Sequence, residues 1–188
     1  MQKNLSSYEL FHEVFFEYYK PLCQYALTLI KEHHESEDIV QEVLLRIWEK
    51  RQDLLDKKEI KFYLFTAVHN NCLTSQEKKK KLVTVEYTGQ EKIIDLPAYA
   101  IEKNSEPDIS SLVEEALDRL PPKCREVFVL SRISKLTYQQ IADISGISVK
   151  TVENQMGKAL RVMRAFLKEK QVLGVNSILF FSIMAMLQ

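Results

Sequence analysis

Apolar positions recur at three- and four-residue intervals along most of the chain, which predicts amphipathic helices. Residues 8–31 place Phe11, Phe15, Leu22, Tyr25, Ala26 and Leu29 at helical spacings, with Pro21 expected to kink or restart the helix. Ser36 is expected to cap a second helix, with Glu37 and Asp38 in a first turn whose dipole suits carboxylates. Along that helix Ile39, Val40, Val43, Leu44, Ile47 and Trp48 form an apolar stripe. Residues 52–59 read as a loop. A third helix is predicted from about Ile60 to Gln76, with Ile60, Tyr63, Leu64, Ala67, Val68, Asn71 and Cys72 on one face, ending in the basic run Lys78–Lys81.

The pattern breaks over residues 82–108, where Gly89, Pro97 and Pro107 sit among scattered acids. Helical periodicity returns at Ser110–Leu120, with Ser110 or Ser111 as the cap. Pro121 and Pro122 end that helix and open another over 123–132, since proline is tolerated in a first turn. Residues 133–136 read as a turn. The expectation is an all-α chain of two small helical domains, 8–81 and 110–168, joined by a flexible linker (82–109) and followed by an apolar tail (169–188).

Composition agrees. Of 188 residues, 46% are hydrophobic, enough for two small cores, and only four Gly and five Pro argue against a turn-rich β fold. Net charge is zero but unevenly spread: residues 82–115 hold eight acids against two bases, and residues 123–170 hold ten bases against four acids. An acidic middle beside a basic C-terminal segment is the electrostatic footprint of a DNA contact. The two stretches are also expected to attract each other. The three cysteines, Cys23, Cys72 and Cys124, have no CxxC spacing and read as buried thiols. The polar N-terminus has no signal-peptide core.

The strongest local signal is TYQQIADISGISVKTVENQMGKALRVMRAFL, residues 137–167. Thr137 and Gln140 form a capping box. Ile141, Ala142 and Ile144 supply an apolar face, Gly146 suits the left-handed position at a helix end, and Ile147 plugs the core. Ser148 caps a second helix with Val149, Val152, Met156, Ala159, Leu160 and Met163 inward. Lys150, Thr151, Glu153, Asn154, Gln155, Lys158 and Arg161 are left outside, residue types that read bases or bind phosphate. This is a helix-turn-helix, whose second helix enters the major groove.

SEDIVQEVLLRIWEKR (36–51), KFYLFTAVHNNCLTSQEKKKK (61–81) and the stretch 117–164 around the helix-turn-helix together resemble the extracytoplasmic-function (ECF) class of sigma-70 family factors, in its Bacteroidetes-type group. The resemblance covers nearly the whole chain. It implies promoter recognition within RNA polymerase holoenzyme, no enzymatic activity and no cofactor. Its partners would be core RNA polymerase, promoter DNA and a membrane-bound anti-sigma factor, without obligate homo-oligomers, often in service of a surface nutrient-uptake system. On this resemblance Asp38, Gln41, Glu42 and Arg46 dock on the polymerase. Phe62, Tyr63, His69, Asn70, Asn71, Lys78 and Lys79 melt and read the −10 element. The seven outward residues of the helix-turn-helix read the −35 element. Departures from the family pattern fall at His69, Thr74 and Glu77, where arginine, aspartate and arginine are frequent.

Simple chemistry points the same way. Opened bases need aromatic faces and polar pockets, which 62–71 offer, and a lysine run suits phosphate. Tyr63 and Phe65 are equally suited to a core. His33-His34 beside Glu35, Glu37 and Asp38 is read as a loop before a helix rather than a metal site, and no catalytic constellation is present. The uncharged tail 171–188 is short for a membrane span, which leaves packing, partner contact or peripheral membrane association for a protein expected in the cytoplasm. The alternative is a response-regulator-type helix-turn-helix protein that binds DNA without joining polymerase. Residues 1–80 lack the strand–helix alternation that a receiver domain needs.

Overall fold

A computed structural model describes residues 6–86 and 109–172, with side chains over 6–81 and 112–169. Every regular element among them is helical. In the first half, helix α1 (Ser7–Ile30) starts at a capping box: the Ser6 hydroxyl accepts from the Glu9 amide, and the Glu9 carboxylate accepts from the Ser6 amide at 2.7 Å. It stops where Lys31 turns left-handed, φ 61°. Pro21 neither breaks nor restarts it; the helix runs through. An interior proline forfeits one backbone bond, about 3 kcal/mol. Leu22, Tyr25 and Ala26, directly after it, are fully buried and hold the turn in place.

Helix α2 (His33–Lys50) begins four residues earlier than the sequence suggested, because Glu32 and not Ser36 is the cap. The Glu32 carboxylate accepts from the amides of His34 (3.0 Å) and Glu35 (2.5 Å). Ser36 lies buried inside the helix, its hydroxyl donating to the Glu32 carbonyl at 2.6 Å. Residues 52–54 form one 3₁₀ turn within the expected loop. Helix α3 (Ile60–Glu86) continues well past Gln76, through the basic run and into the stretch read as linker. Ile39, Val40, Val43, Leu44 and Ile47 of α2 meet Val14, Leu22, Tyr25 and Ala26 of α1 and Ile60, Leu64, Phe65, Val68 and Cys72 of α3 in a three-helix core.

The second half comprises α4 (Ile109–Asp118), α5 (Pro122–Phe128), α6 (Tyr138–Ser145) and α7 (Val149–Val172). Pro121 and Pro122 open α5 as the sequence predicts. The helix then widens to a π segment, Val129–Ile133, closed by the Ser134 amide donating to the Val129 carbonyl at 2.9 Å. Leu112, Ala116, Leu120, Val127, Phe128, Leu130, Ile141, Val152, Met156, Ala159 and Phe166 build its core around α7.

The two halves touch: α5 packs on α1 and α6 packs on α3. A cavity of about 640 Å³ remains between them, lined by Leu27, Thr28 and Lys31 on one side and Leu117, Arg125 and Val129 on the other. No helix among the described residues is long and apolar enough to cross a membrane. Most of the predicted linker and the tail beyond Val172 lie outside the described residues, and so does the expected attraction between the acidic and basic stretches.

Candidate nucleic-acid and polymerase interface

The turn between α6 and α7 is fixed from both ends. Thr137 and Gln140 cap each other reciprocally, amide to side chain, at 3.0 and 3.2 Å. Gly146 has φ 63°, and its amide and that of Ile147 both donate to the Ala142 carbonyl. A Cβ there would meet nothing within 4 Å, so backbone conformation and not crowding requires the glycine. Ser148 accepts from the Thr151 amide at 3.1 Å and starts α7.

On α7, Val152, Met156, Ala159 and Met163 are buried while Val149 and Leu160 are half-buried. Lys150, Glu153, Asn154, Lys158 and Arg161 are exposed, and Thr151 and Gln155 are half-buried. Four of these seven side chains are engaged within the chain, the Thr151 hydroxyl with that of Ser148 at 2.9 Å. Lys150 pairs with Glu153 at 2.9 Å, and Gln155 accepts from the buried Cys124 thiol at 2.9 Å. Asn154 and Arg161 make no hydrogen bond or ion pair among the described residues.

The α3 residues separate into groups. Asn70, Lys78 and Lys79 are exposed; Phe62, Tyr63 and Asn71 are half-buried. Arg51 lies over the Tyr63 ring at 5.5 Å, while Phe65 is core. Lys79 and Ser75 both bind the Glu35 carboxylate, which holds that carboxyl below its usual pKa and ties α3 to α2. The Asn71 side-chain NH₂ is buried without a partner. His69 is only 5% exposed, so in this arrangement it cannot reach DNA.

Asp38, Gln41, Glu42 and Arg46 all lie on the solvent side of α2, with Arg46 bonded to Glu42 at 2.6 Å. Leu45, 54% exposed, falls among them in the helical repeat, and the sequence reading passed over it. The available signal was the Leu44-Leu45 pair, of which a helix can bury only one. Trp48 sits half-buried against Phe11, ring centroids 5.1 Å apart. No cluster of metal-ligating side chains occurs among the described residues.

Residues 14–82 match the family model for Sigma-70 region 2, and residues 110–163 match that for Sigma-70, region 4. Relatives span nearly their full length. The chain is 24% identical over 168 residues to the ECF RNA polymerase sigma factor SigM of Bacillus subtilis, covering 87% of this chain and 96% of that one. It is 28% identical over 173 residues to the ECF RNA polymerase sigma factor SigL of Mycobacterium tuberculosis, covering 89% and 92%. The chain belongs to the ECF class of the sigma-70 family. In its fold this sigma factor is similar to RpoE, solved in complex with the anti-sigma factor NepR from Bartonella quintana: TM-score 0.60, 22% identity, 84% of this chain and 96% of that one. As a sigma factor it serves transcription initiation, as a partner of RNA polymerase and promoter DNA. The helix-turn-helix lies in region 4, and α1–α3 constitute region 2.

Proposed function

We propose that this sigma factor reads a two-element promoter, with region 2 on the −10 element and region 4 on the −35 element. The domains are 8–81 and 110–168, as the sequence suggests. The observation that carries the reading is the polar face of α7, on which Asn154 and Arg161 are exposed and have no partner among the described residues, on a helix opened by a fixed Gly146–Ser148 turn. Helix-turn-helix geometry puts the first turns of such a helix against base edges and later turns against phosphate. Lys150, Thr151, Glu153, Asn154 and Gln155 therefore discriminate sequence, and Lys158 and Arg161 grip the backbone.

In region 2, Phe62, Tyr63, Asn70 and Asn71 hold opened bases, and Lys78 and Lys79 neutralise phosphate. His69 joins them only when uncovered. Asp38, Gln41, Glu42 and Arg46 dock on the core polymerase around Leu45. The protein works in the cytoplasm without cofactor or covalent chemistry of its own, under a membrane-bound anti-sigma factor. The solved RpoE–NepR pair supports anti-sigma control. The Bacteroidetes-type subclass belongs to the same reading.

Reconstitution with core polymerase and run-off transcription on genomic fragments is the test. Discrete transcripts that vanish with Asn154→Ala are expected. DNA binding without polymerase-dependent transcripts would favour a stand-alone regulator instead.

A further inference from the structure

Charged and polar groups rarely sit in a contact between two helical units unless something there satisfies them. Here four do. His69 of α3 and Glu126 of α5 are 5% and 3% exposed, and Tyr25 of α1 is fully buried. The His69 Nδ1 lies 2.7 Å from the Tyr25 hydroxyl and 3.7 Å from the Glu126 Oε1. Ser145, at the end of α6, donates to that same Oε1 at 2.9 Å, and Lys123 reaches the Oε2 at 3.2 Å. The Tyr25 oxygen can accept from His69 Nδ1–H while the Tyr25 hydroxyl also feels the Glu126 carboxylate. Two of these residues come from region 2 and the others from region 4, so the chain of bonds crosses the boundary between them.

We infer that Tyr25, His69, Glu126, Ser145 and Lys123 form a latch that holds region 4 closed over the promoter-opening helix of region 2. The inference rests on the promoter reading above, and geometry makes the latch necessary to break. The −10 and −35 elements lie about 25 base pairs apart, or roughly 85 Å at ~3.4 Å per base pair. With α6 packed directly on α3, the two reading helices share one compact body and cannot reach both elements at once. The units must part for both elements to be read.

The chemistry of the latch suits reversible opening. The buried members each carry a polar group that water can satisfy once the units separate. Glu126 keeps Ser145 and Lys123 as partners within region 4 when open. His69 emerges on α3 next to Asn70, where the promoter reading needs it. An open cleft of about 640 Å³ runs between the halves beside this contact. The α2 face with Asp38, Glu42 and Leu45 stays exposed throughout, so polymerase can engage the closed form. What the latch withholds is DNA.

The wild-type chain carries its own control, because His12, His33 and His34 are exposed and His69 is not. Diethyl pyrocarbonate modification, read site by site by mass spectrometry on the free full-length protein, is expected to be ~10-fold or more slower at His69 than at the other three. A Glu126→Ala/Ser145→Ala variant that keeps wild-type helicity is expected to lose most of that protection and to show a larger radius of gyration in small-angle scattering. Modification of wild-type His69 as fast as His12 would overturn the latch without any need for the variant. So would a folded variant with unchanged protection and size. Failure of run-off transcription, by contrast, would remove the promoter reading while leaving His69 protection intact, so the two can fall separately.

Discussion

Charging the His69 imidazole means placing a cation where burial opposes it. Desolvation lowers its pKa below 6.5; Glu126 pulls the other way and Lys123 adds to the lowering. The remaining groups facing it do not titrate near neutrality: burial raises Tyr25 well above its ordinary value and pushes Cys72 up to about 12. The sign follows from proton counting. The separated form, with an ordinary histidine, binds more protons than the closed form, so closure strengthens as pH rises and weakens as pH falls below 6.5. Scattering should show expansion on acidification through that range, and His69→Gln should remove that step. A second residue, Leu45, offers an apolar centre within a ring of polar side chains. Leu45→Ser should leave stability within about 0.5 kcal/mol, since the side chain is exposed. It should weaken co-purification with core polymerase by ~10-fold or more if it is an anchor. Asp38→Lys/Glu42→Lys should weaken the same step, and unchanged binding by both variants would remove this face from the docking site. The polar stripe of α2 was legible because Asp38, Gln41, Glu42 and Arg46 share a helical spacing. Leu45 was not, because periodicity sorts residues by polarity and sets aside an apolar residue on the polar side.

Elements were legible wherever a side chain caps its own helix. Thr137, Gln140, Gly146 and Ser148 each do what their sequence positions imply, since capping is decided within four residues. Ser36 misled for a related reason. Serine is a good cap, but Glu32 caps the amides of His34 and Glu35 and lengthens α2 by four residues, leaving Ser36 to bond inward. The end of α3 was hidden because a lysine run carries no apolar periodicity; contacts from Ser75 and Lys79 to Glu35 and from Gln76 to the Leu29 carbonyl hold it helical from outside. Two predictions belong at this scale. Gly146→Ala should destabilise by about 1–2 kcal/mol through left-handed strain alone, and Gly146→Asn by less, measured by urea unfolding. Equal losses would mean that packing and not conformation sets the residue. On α7, Asn154→Ala should lower affinity by ~1–3 kcal/mol at the correct −35 element and little on scrambled DNA. Arg161→Ala should weaken both alike and reduce the salt slope by about one. Parallel losses for the two variants would put the helix in the groove the other way round.

At the scale of the molecule, a sequence pattern separates two helical units but is silent on their contact. Tyr25, His69 and Glu126 are far apart in the chain, and no local periodicity marks His69 or Glu126 as inward-facing; each would be placed on a solvated face if its own unit were folded alone. The closed arrangement therefore adds something testable to the two cores: it couples their stabilities. The single tryptophan, Trp48, lies in region 2 against Phe11 and reports that unit alone, whereas far-ultraviolet circular dichroism sums the helices of both. If the latch joins the units, fluorescence and dichroism should trace one coincident urea transition in the wild type, because neither unit unfolds without exposing the buried polar groups of the other. In Glu126→Ala/Ser145→Ala the coupling is removed while each core stays intact. The two signals should then separate, with the Trp48 transition matching only part of the dichroism change. Lowering the pH below 6.5, where His69 favours the open form, should begin the same separation in the wild type. Wild-type transitions that already fail to coincide at neutral pH would mean that the two regions fold independently and that their contact contributes no measurable stability.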